Sequence, residues 1–216
     1  VQKLSEVLKV RGTVLPVSNT PLCLCAEYDD GTIIQGESLI PVEDKKIKRV
    51  YYTNPDEPAL DEAVEAIMEA DLVLLGPGSL YTSIIPNLLL KQIADAVVKT
   101  EAQCVYCCNI MTQPGETTGM TASDHVRVIE EHVGCHIIDK IIVNDESVDD
   151  STYERYTHQN SDMVVIDEEV LENMNIDVIK SRLVSYNNVG EVRHNTKKVA
   201  ATIFSLLLDI EEQREG

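Results

Sequence analysis

Residues 71–90 read DLVLLGPGSLYTSIIPNLLL, and this stretch indicates the fold class. It begins with an apolar run at 71–75, which has the length and composition of a parallel strand covered on both faces. A Gly-Pro-Gly turn at 76–78 ends the run, and apolar residues return at helical spacing from residue 83. Where a parallel strand ends in glycines ahead of a helix, backbone N–H groups can face a phosphate because no Cβ blocks the approach. The stretch therefore predicts a loop that binds a phosphate-bearing ligand.

Length, charge and composition limit the class of protein. The 216 residues are enough for one α/β domain with a sizeable core. No apolar run approaches the roughly 20 residues of a membrane-spanning helix, and we expect a cytoplasmic protein without a membrane span. The formal charge of -19 argues against nucleic acid as a partner, because no basic excess is present to neutralise phosphates. An anionic ligand would need backbone amides and a few arginines.

The six cysteines favour buried thiols over a disulfide framework or a metal site. Cys104 and Cys107 have metal or redox spacing, but they lie in CVYCC at 104–108, which has the composition of a strand. Cys23 and Cys25 alternate in a second strand-like segment. Free cysteines that pack as small hydrophobic side chains explain both patterns.

Residues 12–53 have the character of a β-rich insert. A short strand is predicted at 13–17, and the DDG tripeptide at 29–31 marks a hairpin turn because its glycine can adopt a positive φ. A further strand is predicted at 47–52. This segment differs from the remainder of the chain, in which strands alternate with helices.

After residue 58 strands alternate with amphipathic helices. Beyond the opening stretch, the pattern predicts strands at 104–108, 136–143 and 163–166, and helices at 59–70, 83–99, 122–133, 152–158, 168–174 and 195–213. Residues 1–9 resemble the tail of a helix. This alternation predicts an α/β fold, a Rossmann-like parallel sheet with helices on both faces. No linker or repeat divides the chain, so we expect 1–216 to form a single domain that includes the insert.

Two polar, glycine-bearing loops, at 76–82 and 109–118, follow strands that we expect to be neighbours. In a doubly wound sheet ligands bind beyond the carboxyl ends of the strands, so the two loops predict a cleft. The alternative is that each loop is a βα turn in which the glycines serve only the conformation of the backbone and bind no ligand. The second loop is rich in hydrogen-bonding side chains, and Thr112 is one of them. These side chains either hydrogen-bond to one another or are available to bind a ligand.

Three further polar features have two interpretations each. His125, near the start of a predicted helix, is interpreted as a surface or capping residue and not as a base. Arg193 can contact an anionic group, because its guanidinium matches phosphate, or it can lie beside a helix cap at 195–196. The acidic pair at 149–150 can hold Mg²⁺ together with ligand phosphates, but a solvated pair is favoured.

Four segments of the sequence resemble the YvcK/CofD-like family. They are GPGSLYTSIIPNLL at 76–89, NIMTQPGET at 109–117, RGTVLPVS at 11–18 and GTIIQGES at 31–38. The resemblance is closest to the YvcK branch, the gluconeogenesis factors, and covers essentially the whole chain as the C-terminal two-thirds of the family fold. Family members begin with a strand and a GGGTG phosphate loop, followed by an acidic loop of the type DDGGSSG. Neither motif occurs here, so we expect the N-terminal strand and phosphate loop to be missing from this chain.

The resemblance implies a Rossmann-like protein that binds a nucleotide diphosphate ligand, with Mg²⁺ as a candidate companion. For the YvcK branch it implies a regulatory UDP-sugar binding protein linked to bacterial carbon metabolism, cell-wall homeostasis and cell shape, with no established catalysis. For the CofD branch it implies an Mg²⁺-dependent transferase that moves a phospholactyl group from a nucleotide donor to a deazaflavin precursor. A third interpretation is a scaffold that acts only through protein partners. Homodimerisation and the identity of a regulatory protein partner stay open.

The same resemblance implies a set of ligand-binding residues. Gly76 and Gly78 would let amides approach a diphosphate. Hydroxyl groups of Ser79 and Thr82 would add donors, Asn109 would line the base or ribose side, and the arginine would offset negative charge. The complete candidate set, which holds no catalytic residue and no metal ligand, is Gly76, Gly78, Ser79, Leu80, Tyr81, Thr82, Asn109, Thr112, Tyr156 and Arg193.

Overall fold

The insert forms a three-stranded antiparallel sheet. The structure, a computed structural model, describes residues 12–43 and 45–215, so the helix tail predicted at 1–9 lies outside the described residues. The strand order is β2-β1-β3. These strands are β1 (Leu24–Tyr28), β2 (Ile33–Gln35) and β3 (Ile47–Tyr52).

The first two strands of the insert confirm the hairpin that the DDG tripeptide predicts. Gly31 has a φ of 82°, in the left-handed region that residues with a Cβ rarely adopt. The strand predicted at 13–17 is wrong, because Pro16 lacks the N–H that a strand ladder requires. The segment runs irregularly, and the carbonyl of Val17 accepts a hydrogen bond from the Leu60 amide at 2.8 Å.

Four parallel strands form the central sheet, in the order β4-β5-β6-β7. They are β4 (Leu72–Leu75), β5 (Gln103–Cys107), β6 (Lys140–Asn144) and β7 (Asp177–Ser181). A small antiparallel hairpin of β8 (Val184–Tyr186) and β9 (Val192–His194) follows. Helical crossovers join the parallel strands, so the predicted Rossmann-like α/β class is confirmed.

Helices cover both faces of the central sheet, as predicted. They are α1 (Asp61–Met68), α2 (Ile85–Leu88), α3 (Lys91–Lys99), α4 (Ala122–Val133), α5 (Asp150–Thr157), α6 (Glu168–Asn173) and α7 (Thr196–Glu215). Side chains alternate along β5, so Tyr106 joins the larger core with α2, α4 and the insert, whereas Val105 and Cys107 join a second core with α7. Among the described residues, no helix is long and apolar enough to span a bilayer.

The opening strand is less covered than its apolar sequence predicts. β4 lies at the edge of the described sheet, where its ladder partner is β5, and Leu74 is 37% exposed. Val73 and Leu75 point to the other face and pack against the larger core. The prediction of coverage on both faces is therefore wrong for the described chain, because an edge strand lies outside the area that the central helices cover.

The single helix predicted at 83–99 is divided into three parts. Leu80–Ile84 form a turn of π-helix, α2 follows, and Leu90 adopts an extended conformation before α3 begins. Pro86 has no N–H to donate into the preceding turn, which favours a new helix start at its position. Leu90 is completely buried, and its packing fixes the bend that separates α2 from α3.

Three smaller predictions differ from the structure. The strand predicted from residue 136 begins at Lys140, and segment 163–166 contributes the single bridge Met111–Met163. His125 is fully buried, so its interpretation as a surface or capping residue is wrong. Its position on α4 turns the ring toward the core, where Nδ1 donates to the carbonyl of Thr121 at 2.7 Å.

All six cysteines are free thiols, as their pattern predicts. Cys104, Cys107 and Cys108 are buried on and just after β5, and burial raises the pKa of each thiol to about 12. Cys135 differs, because it is exposed beyond the end of α4. The CVYCC segment is therefore a strand with small hydrophobic side chains.

Candidate functional site

The parallel pairing of β4 with β5 brings the two candidate loops together. Leu75 lies opposite Tyr106 in the ladder, so the chain leaves both strands at the same edge of the sheet. A cleft of about 1120 Å³ opens beyond that edge. One wall of this cleft comes from the β4 and β5 loops, and the other comes from α5 and the β8–β9 hairpin.

Hydrogen bonds between the two loops build the first wall. Asn109 Nδ2 donates to the carbonyl of Gly78 at 2.9 Å and to Gln113 Oε1 at 3.3 Å. Gln113 Nε2 in turn donates to Ser79 Oγ at 3.2 Å. The amides of Gly78 and Ser79 have no hydrogen-bond acceptor among residues 12–43 and 45–215, so they are free to meet an anionic ligand.

The Glu116 carboxylate occupies the start of the π-helical turn. Oε2 accepts from the Tyr81 amide at 2.9 Å, and Oε1 accepts from Thr82 Oγ1 at 2.8 Å. Burial raises the pKa of this carboxyl, and the hydrogen bonds from Thr82 and Tyr81 oppose that rise. A carboxylate at a helix N-terminus satisfies orphan N–H groups. The Tyr81 amide and the Thr82 hydroxyl, which belong to candidate ligand-binding residues, are thus already hydrogen-bonded within the protein.

The structure brings six of the ten candidate residues to the cleft. They are Gly78, Ser79, Asn109, Thr112, Tyr156 and Arg193. The other four lie outside its lining. Leu80 and Tyr81 are core residues with 0% and 4% exposure, and Gly76 lies in the turn just after β4. Thr82 lines a smaller neighbouring cavity instead.

Thr112 fixes its loop to the segment that follows α5. Its amide donates to the carbonyl of Asp162 at 2.7 Å, and its Oγ1 accepts from the Asp162 amide at 2.9 Å. Its carbonyl accepts from Ser161 Oγ at 2.5 Å. Thr112 is only 4% exposed. These contacts make it a residue that positions the cleft wall.

Arginine side chains dominate the second wall. Arg155 lies over the Tyr156 ring at 5.6 Å and donates to the carbonyl of Gly190 at 2.5 Å. Tyr156 Oη accepts from the Val192 amide at 2.9 Å, which holds α5 against β9. Arg193 Nη2 donates to Glu191 Oε2 at 2.5 Å, and its side chain is 59% exposed. Two guanidinium groups therefore stand opposite the free amides of the first wall.

Sequence reasoning missed several cleft residues. Arg155 is adjacent to a candidate tyrosine, and the scarcity of basic residues in a chain of charge -19 is the signal that could have found it. His194 Nε2 donates to the carbonyl of Cys108 at 3.0 Å, and burial lowers its pKa, which favours the neutral ring. Gln113 in the cleft and Glu116 in the neighbouring cavity carry no local signal beyond loop polarity, because their partners lie more than 30 residues away in sequence.

The acidic pair at 149–150 starts a helix. Asp149 accepts from the Thr152 amide at 2.9 Å and from Thr152 Oγ1 at 2.8 Å, so it is the N-cap of α5. Hydrogen bonds from Ser151 and Thr152 hold the pKa of its carboxyl well below the usual range. Among the described residues, no group of three or more His, Cys, Asp or Glu side chains could hold a metal ion.

Comparisons with known proteins place the chain in a family. The family described as 2-phospho-L-lactate transferase CofD matches residues 1–184. The gluconeogenesis factor of Bacillus subtilis (strain 168) is 46% identical over 207 residues, which cover 96% of this chain and 65% of that protein. The gluconeogenesis factor of Listeria monocytogenes is 41% identical over 215 residues, which cover 100% of this chain and 66% of the relative.

A solved structure agrees with the sequence relatives. The crystal structure of a UPF0052 family member from Bacillus halodurans superposes with a TM-score of 0.88 at 44% identity, and the match covers 94% of this chain and 65% of that one. The chain spans about two thirds of the length of the relatives it matches. Since the family match covers most of the chain and curated relatives share more than 40% of its residues, the chain belongs to the CofD family, in the branch whose members are named gluconeogenesis factor.

Proposed function

We propose that the protein is a regulatory, cytoplasmic binding protein for a nucleotide sugar of the UDP-sugar class. The observation that carries the proposal is the cleft itself, in which free amides at Gly78 and Ser79 face the guanidinium groups of Arg155 and Arg193. Backbone amides and arginines together suit an anionic group with several oxygen acceptors, such as a diphosphate. A single domain over 1–216 and roles in carbon metabolism, cell-wall homeostasis and cell shape belong to the same proposal.

Calorimetric titration of the intact protein with a UDP-sugar tests this function. Arg193→Ala is expected to weaken binding by about 1–3 kcal/mol, the scale of a hydrogen bond to a charged group. Arg49→Ala is the matched control, because Arg49 also pairs with one glutamate and is 61% exposed, against 59% for Arg193, but lies in the insert. Equal affinity for wild type and Arg193→Ala would remove Arg193 from the site.

The second candidate function is a transferase of the CofD type. The family match over residues 1–184, with its printed description as a 2-phospho-L-lactate transferase, supports it. The intact protein would be incubated with Mg²⁺, a nucleotide-activated phospholactate and a deazaflavin acceptor. Formation of a phospholactyl product would replace the binding function by catalysis, whereas binding without turnover would favour the regulatory function.

A further inference from the structure

A second cavity of about 580 Å³, the side chamber, adjoins the cleft. Ser79, Gln113 and Pro114 line both spaces, so the two are neighbours that share one boundary. The insert supplies one wall of the side chamber, and the β4 and β5 loops supply the other. The remaining lining residues are Glu37, Ser38, Pro41, Thr82 and Glu116.

Close backbone packing fixes the insert over the β5 loop. A Cβ built on Gly115 would lie 2.0 Å from the carbonyl oxygen of Pro41, so glycine alone permits this contact. The neighbouring Ile40 is completely buried, and its carbonyl accepts from the Tyr28 hydroxyl at 2.7 Å. The segment that carries Glu37 and Ser38 is thus tied to the core on its C-terminal side. The side chamber is a built feature of the fold.

The two spaces differ in charge. Two arginines and one glutamate, Arg155, Arg193 and Glu191, line the cleft, whereas the charged residues that line the side chamber are Glu37 and Glu116. Two carboxylates repel a phosphate group and accept hydrogen bonds from hydroxyl groups. Each oxygen of Glu116 already accepts one hydrogen bond, and a carboxylate oxygen can accept two. The chemistry therefore suits an uncharged, hydroxyl-rich group.

We propose that the side chamber binds the sugar of the nucleotide sugar, with Glu37, Ser38 and Glu116 as its polar contacts. This inference rests on the proposed function, since the diphosphate must lie at the amides of Gly78 and Ser79. Ser79 lines both spaces, so a group attached directly to a phosphate at Ser79 would lie beside the side chamber. The arginines stay with the diphosphate, and the nucleoside extends along the cleft toward Tyr156.

The test compares two ligands, UDP-N-acetylglucosamine and UDP, on the intact wild-type protein and on Glu37→Gln. The double variant Glu37→Gln/Ser38→Ala extends the series. Loss of one or two sugar contacts is expected to weaken binding of the sugar nucleotide about fivefold or more, while the affinity for UDP stays unchanged. Glu43→Gln is the control, because it removes the same charge from the same segment without lining either space. All titrations are run with Mg²⁺ and again with EDTA.

Four results overturn the inference. Equal losses for both ligands would show that Glu37 acts on the diphosphate or on folding. Unchanged affinity of the double variant for the sugar nucleotide would place the sugar elsewhere. Binding that requires Mg²⁺ in the wild type and fails for both ligands in Glu37→Gln would assign the side chamber to a cation. If the wild type binds neither ligand, the proposed function fails as well. The first two results differ from this one, because in them the wild type still binds the nucleotide.

Discussion

The two walls of the cleft are built on different principles. On the first wall, polar side chains are partly buried and bonded to one another, and Glu116 holds both Tyr81 and Thr82. On the second wall, the guanidinium of Arg193 is largely exposed and bonded to one carboxylate. A buried, mutually satisfied network stabilises the fold, whereas an exposed ion pair contributes little to stability.

This difference separates stability from ligand recognition. Substitutions on the first wall are expected to lower the free energy of unfolding, because they leave buried donors without acceptors. Substitutions on the second wall are expected to change affinity and leave the fold intact. Four predictions test this division, beginning with the largest expected effect.

Gly115→Ala is expected to destabilise the protein by more than about 3 kcal/mol, because a positive φ and a backbone clash add together. Gly115 has a φ of 79°, and an added Cβ would lie 2.0 Å from the Pro41 carbonyl oxygen. Gly119 has a φ of 73° with nothing within 4 Å, so Gly119→Ala is the matched control and should cost only about 1 kcal/mol. Denaturant unfolding measures both. Similar losses for the two variants would show that the insert does not pack against the loop.

Glu116→Ala is expected to lower the free energy of unfolding by about 2–3 kcal/mol, because two donors at the start of the π-helical turn lose their acceptor. Glu191→Ala, on the second wall, is the comparison and should stay within about 0.5 kcal/mol of wild type. Urea titrations followed by circular dichroism measure the difference. If both variants unfold at the same urea concentration, the two walls do not differ in the way described.

His132 makes the attachment of the insert to α4 sensitive to pH. Its Nε2 accepts from the Val50 amide at 3.0 Å and its Nδ1 donates to the Val128 carbonyl at 2.7 Å, which requires a neutral ring. Burial lowers its pKa from 6.5 in the folded protein. The unfolded chain therefore binds a proton first as pH falls below 6.5, and stability is lost from there down through the folded pKa.

His132→Leu is expected to make this loss of stability less steep, by up to about 1.4 kcal/mol per pH unit, the contribution of one proton. Burial also lowers the pKa of His125 and His194, so part of the acid sensitivity should persist in the variant. His158→Leu, at an exposed histidine, is the matched control. Urea midpoints recorded at a series of pH values measure the slope, and identical slopes for wild type and His132→Leu would contradict the prediction.

Glu191→Gln is expected to have the smallest effect of the four substitutions, and it is expected to raise the affinity for the ligand, whereas the others lower stability. The Glu191 carboxylate accepts from Arg193 and, at 2.8 Å, from Asn187 Nδ2, so it competes with a ligand phosphate for the guanidinium. Removal of its charge should raise the affinity for a UDP-sugar up to about fivefold, the limit for an exposed ion pair. Glu154→Gln, on the exposed side of α5, is the control. A lower affinity in Glu191→Gln would show instead that the carboxylate positions Arg193 for the ligand.

Local sequence patterns predicted the elements that depend on few distant contacts. The strand at 47–52 and the helix at 122–133 have the predicted bounds, and a local capping box between Thr121 and Asp124 starts that helix. The division of the helix at 83–99 was missed, because the extended conformation of Leu90 follows from its burial against other elements. The burial of His125 was not predicted for the same reason, because it depends on the elements that pack around α4.

About half of the cleft was predictable. The two loops on neighbouring parallel strands follow from topology, so Ser79 and Asn109 were found from motif and position. The opposite wall depends on how α5 and the β8–β9 hairpin pack against the sheet. The sequence around Arg155 does not indicate that its side chain lies in this wall. The side chamber was not predicted, because the insert meets the β5 loop through a tertiary contact between Pro41 and Gly115.

The local sequence of residues 71–90 is sufficient to predict the class of fold and the chemistry of the first loop. Hydrophobic periodicity and the glycine turn at 76–78 are local properties, and they specify a strand, a turn and a helix without knowledge of the rest of the chain. Which donors stay free for a ligand, and which are bonded to Glu116, follows from the folded arrangement of the loops. Hydrogen bonds between residues 30 to 40 positions apart form only after the strands are side by side, and hydrophobic periodicity does not encode those pairings.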